Sequence, residues 1–466
     1  MRAVWLVTTV LLQWTAVAQP SRNGLESQPS RNGLESREAD IGLPSEESVR
    51  RDAEAQGREL CVVRPLGQDK DDAPAIVDAL TRRCRSNSIV FLPGPVYNIR
   101  SAMTTEGLDD VHIVQLGRLL WSPDIEYWRS VSMPVGFQNQ STVWYFGGSS
   151  IEWDGHGVGT FDGNGQVWYD WAQNRGNLAR RPMNINFRGL SDSHIHRLRF
   201  VQSQMWTMAV TYSTNVDFDD IYVNNTSSSQ WNTLNTDGCD TIYSDSITFR
   251  RWFVTNGDDA IALKPNSTNI SIYDSVFADG QGVAIGSVGQ YNGQYDYISN
   301  FYARNITLRN TAHVSYLKTW GGVSRGFPPN GGGGGLGQAS DIVMEDITVD
   351  RLRQQPFFAW QCENYEGHLG EDCNSSKYKL SRFAWRRVSG TVIDQVVETG
   401  HFQCSAAAGG CDDVEVSDIN IQKVGGGRLD TWYCENVNGG SGFACNVAQD
   451  KRMASSRAGP GPIFST

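Results

Sequence analysis

The sequence has no long apolar run beyond its N-terminal stretch, no Cys-x-x-Cys pair, no basic tract and few histidines, 7 in 466 residues. Each scarcity excludes something. A spanning helix needs about 20 consecutive apolar residues, so no transmembrane segment is expected. Zinc-ribbon and finger spacings need paired cysteines, so no structural zinc module is expected. Lysine and arginine number 40 against 51 acidic residues, a net charge of -11. That balance lacks the basic footprint of a nucleic-acid partner. What the chain has in plenty is glycine (48) and tryptophan (15). Exposed aromatics are the stacking platforms of sugar-binding surfaces, although most aromatics in any chain are core. The length allows one large domain or two ordinary ones.

Residues 1–18 read as a secretory signal: Arg2, an apolar stretch from Val4 to Leu12, then Ala16-Val17-Ala18 as a small-x-small cleavage site. A nonamer repeats at 19–27 and 28–36, and the polar stretch 19–57 is expected to be a disordered leader. The folded domain is placed at 58–450, with a flexible tail over 451–466. Nine cysteines suit an oxidising compartment. Eight fall into neighbouring pairs, Cys61/Cys84, Cys362/Cys373, Cys404/Cys411 and Cys434/Cys445, which predicts four local disulfides and leaves Cys239 a buried thiol. Sequons at Asn139, Asn224, Asn225, Asn266, Asn269, Asn305 and Asn374 fit a glycosylated, secreted protein.

The spacing of Ala75, Ile76, Ala79 and Leu80 predicts one amphipathic helix over 72–83, with an aspartate at its N-cap. Beyond it the period changes to two. Short alternating segments at 194–200, 216–223, 270–277, 342–349 and 414–421 read as strands. Several have the form apolar-x-apolar, a polar pair, apolar-x-apolar, recurring at roughly 23 to 41 residues, which is solenoid spacing. The polar pairs (Asp219-Asp220, Asp274-Ser275, Asp346, Asp418) fall where a coil bends between sheets. A β-sandwich would place a hairpin turn every 8–12 residues or so. The expectation is an all-β, single-domain, right-handed parallel β-helix with a short N-terminal capping helix. Its outward face offers a long groove suited to a polymer.

The informative residues concentrate between 235 and 318. Asn235-Thr236-Asp237 is followed one coil later by Gly257-Asp258-Asp259, then by Gly280-Gln281-Gly282 and by Tyr316-Leu317-Lys318. Coils stack about 4.8 Å apart, so Asp237, Asp258 and Asp259 should crowd one patch, with Gly257 supplying the turn that lets both neighbours project outward. Carboxylates this close cannot all ionise cheaply, and one should keep its proton at mildly acidic pH. An inverting glycosidase needs such a pairing: a protonated acid for the leaving oxygen and a carboxylate for water, roughly 6.5–9.5 Å apart. Asx residues capping β-helix turns, or a calcium site, are the structural alternatives.

The ordered set resembles glycoside hydrolase family 28, the polygalacturonase family, whose members carry Asn-Thr-Asp, Asp-Asp, Gly-His-Gly and Arg-Ile-Lys on a parallel β-helix. The resemblance extends from about Val62 to Cys445 and includes Gly159 to Gly165. It implies that Asp258 is the general acid, that Asp237 and Asp259 hold the attacking water, and that Asn235, Gln281, Tyr316 and Lys318 contact substrate. Gln281 stands in the place of the family histidine and Tyr316 in that of its arginine. Arginine grips a carboxylate bidentately and tyrosine does not, so plain endo-polygalacturonase action is not expected. The resemblance instead implies a secreted exo-hydrolase of pectin that releases terminal galacturonate from galacturonan or rhamnogalacturonan. An α-L-rhamnosidase is the alternative, and a calcium-dependent lyase or a non-catalytic polysaccharide-binding β-helix stand further off. No cofactor or metal is implied. The expected partner is the pectic polysaccharide alone, with no nucleic acid and no membrane, and the chain is expected to be a monomer. The run 331–335 after Pro328-Pro329 is expected to be a loop near the cleft; it lacks the Lys-Ser/Thr of a phosphate-binding loop.

Overall fold

The computed structural model describes residues 42–67, 70–363 and 372–446. The stretch read as a signal sequence, the repeated nonamer and the C-terminal tail 451–466 lie outside the described residues. Three stacks of parallel strands wind into a right-handed β-helix. In the first, Met208–Thr211, Cys239–Ile242, Asp259–Leu263, Gly282–Val288, Ser315–Trp320, Phe357–Glu363, Gly400–Gln403 and Trp432–Glu435 pair in that order. This is the site sheet. The second stack runs from Thr214–Asp219 through Asp245–Arg250, Ser267–Ala278, Tyr295–Arg309, Leu336–Leu352 and Lys377–Val392 to Cys411–Lys423. The third includes Arg199–Val201, Tyr222–Asn224 and Phe253–Thr255, then merges into the long bent strands of the second.

The polar pairs mark the bends as expected. Asp220, Asp274, Asp346 and Asp418 have φ of 54°, 52°, 57° and 56°. Short Asx side chains tolerate this left-handed conformation best. Yet Arg251 and Arg387 adopt it as well, at φ 51° and 52°. The ladder explains why: Asp220 N donates to Arg250 O at 2.9 Å and Arg251 N to Tyr273 O at 3.1 Å, so a corner residue keeps its bond to the next coil. Alternation sends Val216 and Phe218 inward and Asp217 and Asp219 outward. Inside, Phe187 meets Phe218 edge-on at 5.3 Å and Phe218 stacks on Phe249 at 5.8 Å. Truncating such a fully buried ring, as in Phe218→Ala, would cost about 3–5 kcal/mol.

Two helices serve the N-terminal end, where one was expected. Helix α1, Glu46–Gln56, falls within the stretch assigned to a disordered leader, so that assignment is corrected. The Ser45 side chain caps it by accepting from Ser48 N, and Gly57 closes it at φ 64°. Only Val49 and Ala53 are buried, packing on Ile89 and Phe91, too little apolar signal to rise above the polar composition. Helix α2, Ala73–Asp78, continues as a π-turn over Ala79–Arg83 and covers the open core with Ala73, Ile76, Ala79 and Leu80. Asp72 stands at its N-cap, but the carboxylate turns away to accept from Leu66 N and Asn98 N, each at 2.7 Å. Four disulfides form in the expected pairs, and Cys239 is a buried free thiol. Asn225 is an exception among the sequons: it is buried, its amide donating to Thr207 Oγ1 at 2.8 Å and accepting from Ser203 N at 2.7 Å.

Candidate active site

The site sheet brings the three aspartates together from consecutive coils. Their carboxylate oxygens lie within 4.8 Å of one another, Asp237 and Asp259 buried and Asp258 half-buried. Two backbone devices achieve this. Asn235 is left-handed at φ 61° and turns the chain into Asp237. The register slips between Asp259, which pairs with Gly282, and Ile261, which pairs with Val283. The extra residue, Ala260, lets Asp259 be aimed independently of the strand that follows. Gly257 is not left-handed; it is needed for close approach, since a Cβ there would meet Thr233 Oγ1 at 2.4 Å. The turn role expected of Gly257 therefore passes to Asn235 and the bulge.

The other expected residues surround this centre. Asn235 donates its backbone N–H to Asp258 Oδ2 at 3.0 Å and its side-chain amide to the same oxygen at 3.4 Å. Gln281 stands one coil above Asp258, with its N–H donated to the Asp258 carbonyl at 2.8 Å. Tyr316 Oη donates to Asp259 Oδ1 in a short bond, and Lys318 Nζ donates to Asp259 Oδ2 at 2.9 Å. Lys318 also lies 4.5 Å from the Tyr316 ring centroid. Both groups at the arginine and lysine positions of the family thus hold Asp259.

Three residues that sequence reasoning did not single out complete the site. Lys264 is buried, 3.2 Å from Asp240 Oδ1 and 3.9 Å from Asp259 Oδ2. Arg181 is buried beside Tyr169, Asp258 and Asp237 and donates to the carbonyl oxygens of Gln204 and Leu234. His313 hydrogen-bonds Gln355 O through Nδ1 at 2.7 Å and lies between Tyr316 and Phe358, with ring centroids 5.2 and 5.1 Å away. Only Lys264 had a signal, its place one strand-length after Asp258-Asp259. Arg181 reaches the site from a loop and His313 from the start of another coil.

The charges behave as crowding dictates. Burial first, then the Asp259 charge, pushes the Asp258 carboxyl up to about 6. Burial, then Asp240, Asp258 and Asp259, holds Asp237 well above the usual carboxylate range. Burial pushes Asp240 up to about 7 against the pull of Lys264. His313 is pushed down to about 4 by burial, which keeps it neutral. At mildly acidic pH the cluster therefore retains protons beside an ion-paired Asp259. Such a set can donate a proton and orient a water molecule. One oxygen of each carboxylate comes within 4.8 Å of the others, an approach that stacking on consecutive coils fixes.

Downstream of the carboxylates an outward-facing row continues along the sheet. Ala262, Ala284, Tyr316, Phe358, His401 and Tyr433 are register partners from coil to coil, with Lys318, Trp360, Gln403 and Glu435 in the parallel row. His401 stacks on Tyr433 at 4.4 Å, and its Nδ1 donates to Glu398 Oε2 at 3.0 Å. The glycine loop 331–335 folds back on Gln290, whose amide donates to Pro329 O and Gly331 O at 3.0 and 2.9 Å. Phe327, 88% exposed, and Tyr291 line a hollow of about 540 Å³ there.

A parallel β-helix with proton-retaining carboxylates on one sheet fits a glycoside hydrolase. The chain belongs to glycosyl hydrolases family 28, whose sequence profile matches residues 135–445. It is 45% identical over 390 residues to an alpha-L-rhamnosidase of Aspergillus niger, covering 83% of this chain and 90% of that one. It is 34% identical over 389 residues to an exopolygalacturonase of Emericella nidulans, covering 82% and 87%. Among solved structures it resembles the endo-xylogalacturonan hydrolase of Aspergillus tubingensis, with a TM-score of 0.69 at 23% identity over 84% of this chain and 99% of that one.

Proposed function

We propose that this protein is a secreted, monomeric exo-hydrolase of pectin that acts at a rhamnose-containing backbone and releases the terminal α-L-rhamnosyl unit. The observation that carries the reading is the capture of Tyr316 and Lys318 by Asp259. Where an arginine would meet a uronate carboxylate, this site offers a phenol and an aromatic row, surfaces suited to a neutral 6-deoxy sugar. The 45% identity to a rhamnosidase points the same way. Galacturonate release is the second reading, favoured by the relatives named as galacturonidases and exopolygalacturonases.

In this reading Asp258, held by Asn235, protonates the leaving oxygen. Asp237 and Asp259 orient the water that attacks the anomeric carbon from the opposite face, and one of them accepts its proton. Asp259 is ion-paired to Lys318 and hydrogen-bonded by Tyr316, which blunts it as a nucleophile. That favours inversion in spite of the close carboxylates, and the anomer first seen by proton NMR decides it. Incubation with defined rhamnogalacturonan and galacturonan oligomers tests the substrate. Free rhamnose from the earliest time points supports the main reading and free galacturonate the second. Oligomers without monosaccharide would overturn exo action.

A further inference from the structure

The scarce histidines are unevenly placed. Four of the 7, His112, His156, His194 and His196, lie among acidic residues on coils away from the site sheet. Strand register aligns His112, Glu152, His194 and Asp217 in one outward row, with His196 beside Asp219 in the next. The ligating atoms of His194, Asp217 and Asp219 lie within 4.8 Å of one another.

The separations are informative. His194 Nε2 is 3.8 Å from Asp217 Oδ2, and His196 Nε2 is 3.5 Å from Glu152 Oε1. These exceed the usual 2.7–3.2 Å or so of an N–H···O bond. The His194–Asp217 separation is within about half an ångström of the ligand–ligand edge, about 3.4 Å, of a tetrahedron with metal–ligand bonds of about 2.1 Å. Arg250 takes one oxygen of Asp217 at 3.3 Å, and Arg251 takes Asp219 Oδ2. The remaining atoms on offer, His194 Nε2, His196 Nε2 and Asp219 Oδ1, are covered and without a hydrogen-bond partner, on side chains that are themselves partly exposed. Covered polar atoms without a partner are unfavourable, and an ion would relieve them. A hollow of about 490 Å³ lined by His112, Glu152, His194 and Asp217 gives access.

We infer that this cluster is a binding site for one borderline divalent transition cation of the zinc class. His194, Asp217 and Asp219 are the protein ligands, and His196 stands beside the fourth position. Mixed imidazole and carboxylate donors suit zinc better than calcium, which takes oxygen alone. The ion would tie consecutive coils together and would take no part in hydrolysis.

Calorimetric titration of the tag-free, chelator-stripped protein with zinc chloride tests this. One zinc per chain, no heat with calcium chloride, and a zinc-dependent rise in melting temperature are expected. His194→Gln and, separately, Asp217→Asn should weaken zinc at least tenfold and abolish that rise, with hydrolytic activity of both variants unchanged. The absence of saturable zinc binding, or binding that both variants retain, would overturn the inference.

Discussion

Two charged regions of this molecule use the same coil-on-coil stacking to opposite ends. On the site sheet like charges stack on like, and Asp237, Asp240 and Asp258 all rise above their ordinary range, burial being the first cause. At the bends opposite charges alternate: Arg382 grips Asp341 through contacts of 2.6 and 2.7 Å, and Arg386 grips Glu415 at 2.8 and 2.6 Å. There Asp341 and Glu415 fall below their ordinary range, with the arginine hydrogen bond as the leading cause. The ladder geometry is neutral between these outcomes. What differs is burial and the identity of the next coil's residue. Stacked, buried acids keep protons for chemistry, and alternating surface pairs hold the solenoid.

The largest test of the contrast removes the acid proposed to be reactive. Asp258→Asn should lower hydrolysis by about 10²–10⁴-fold, the range of a general acid, read as reducing sugar released from pectic oligomers. Folding should survive, because the variant deletes a buried charge. In the unaltered enzyme the rate should fall as pH rises above about 6, where Asp258 loses its proton. Retained activity in the variant would remove the catalytic meaning of the stacked acids.

Stability against pH measures both regions together. Asp258 and Asp240, at about 6 and about 7, hold protons in the fold that the unfolded chain has released above pH 4 or so. The native state binds more protons there, so stability falls as pH rises from about 4 to about 7. The surface carboxylates have the opposite sign. Their depressed values, Glu152 at about 2 with the His196 imidazole 3.5 Å away as the leading cause, give stability that is lost as pH falls through them. Melting temperature should therefore peak at mildly acidic pH, and Asp258→Asn should make the neutral side shallower, with Asp240 keeping the rest of the slope and the acid side unchanged. A peak at pH 8 would break the comparison.

Much of this was legible from residues, and the failures have physical reasons. The bends were readable because Asx residues tolerate left-handed backbone, and the aspartate patch because coil spacing puts such residues side by side. Helix α1 was not, since two buried apolar residues, Val49 and Ala53, hardly mark a polar segment. The bulge at Asp259 leaves no residue-type signature, so the projection of Asp258 and Asp259 was assigned to Gly257 instead. Arg181 and His313 come to the centre through tertiary placement, which no local period encodes.

A smaller effect is expected at Tyr316, which sits where the site sheet passes from acids to aromatics. Tyr316→Phe removes one hydrogen bond to a charged acceptor, about 1.5–3 kcal/mol if it matters to the reacting state. That is about a tenfold or larger drop in kcat with KM little changed, because Asp259 would still be held by Lys318. A change in KM alone would make Tyr316 a wall for the sugar and leave the carboxylate untouched.

The smallest effect belongs to the bends. Arg382→Ala breaks a two-point contact with Asp341, but the two side chains are 53% and 40% exposed. Solvent screening holds such a pair to below about 1 kcal/mol. The replaced residue also sits at φ 58°, a left-handed conformation that alanine tolerates no better than arginine, so backbone strain should be unchanged. Chemical denaturation of the variant should then show a midpoint shift that shrinks as salt is raised. A loss of several kcal/mol, insensitive to salt, would mean that the alternating ladder is as demanding of its partners as the buried acids are of theirs.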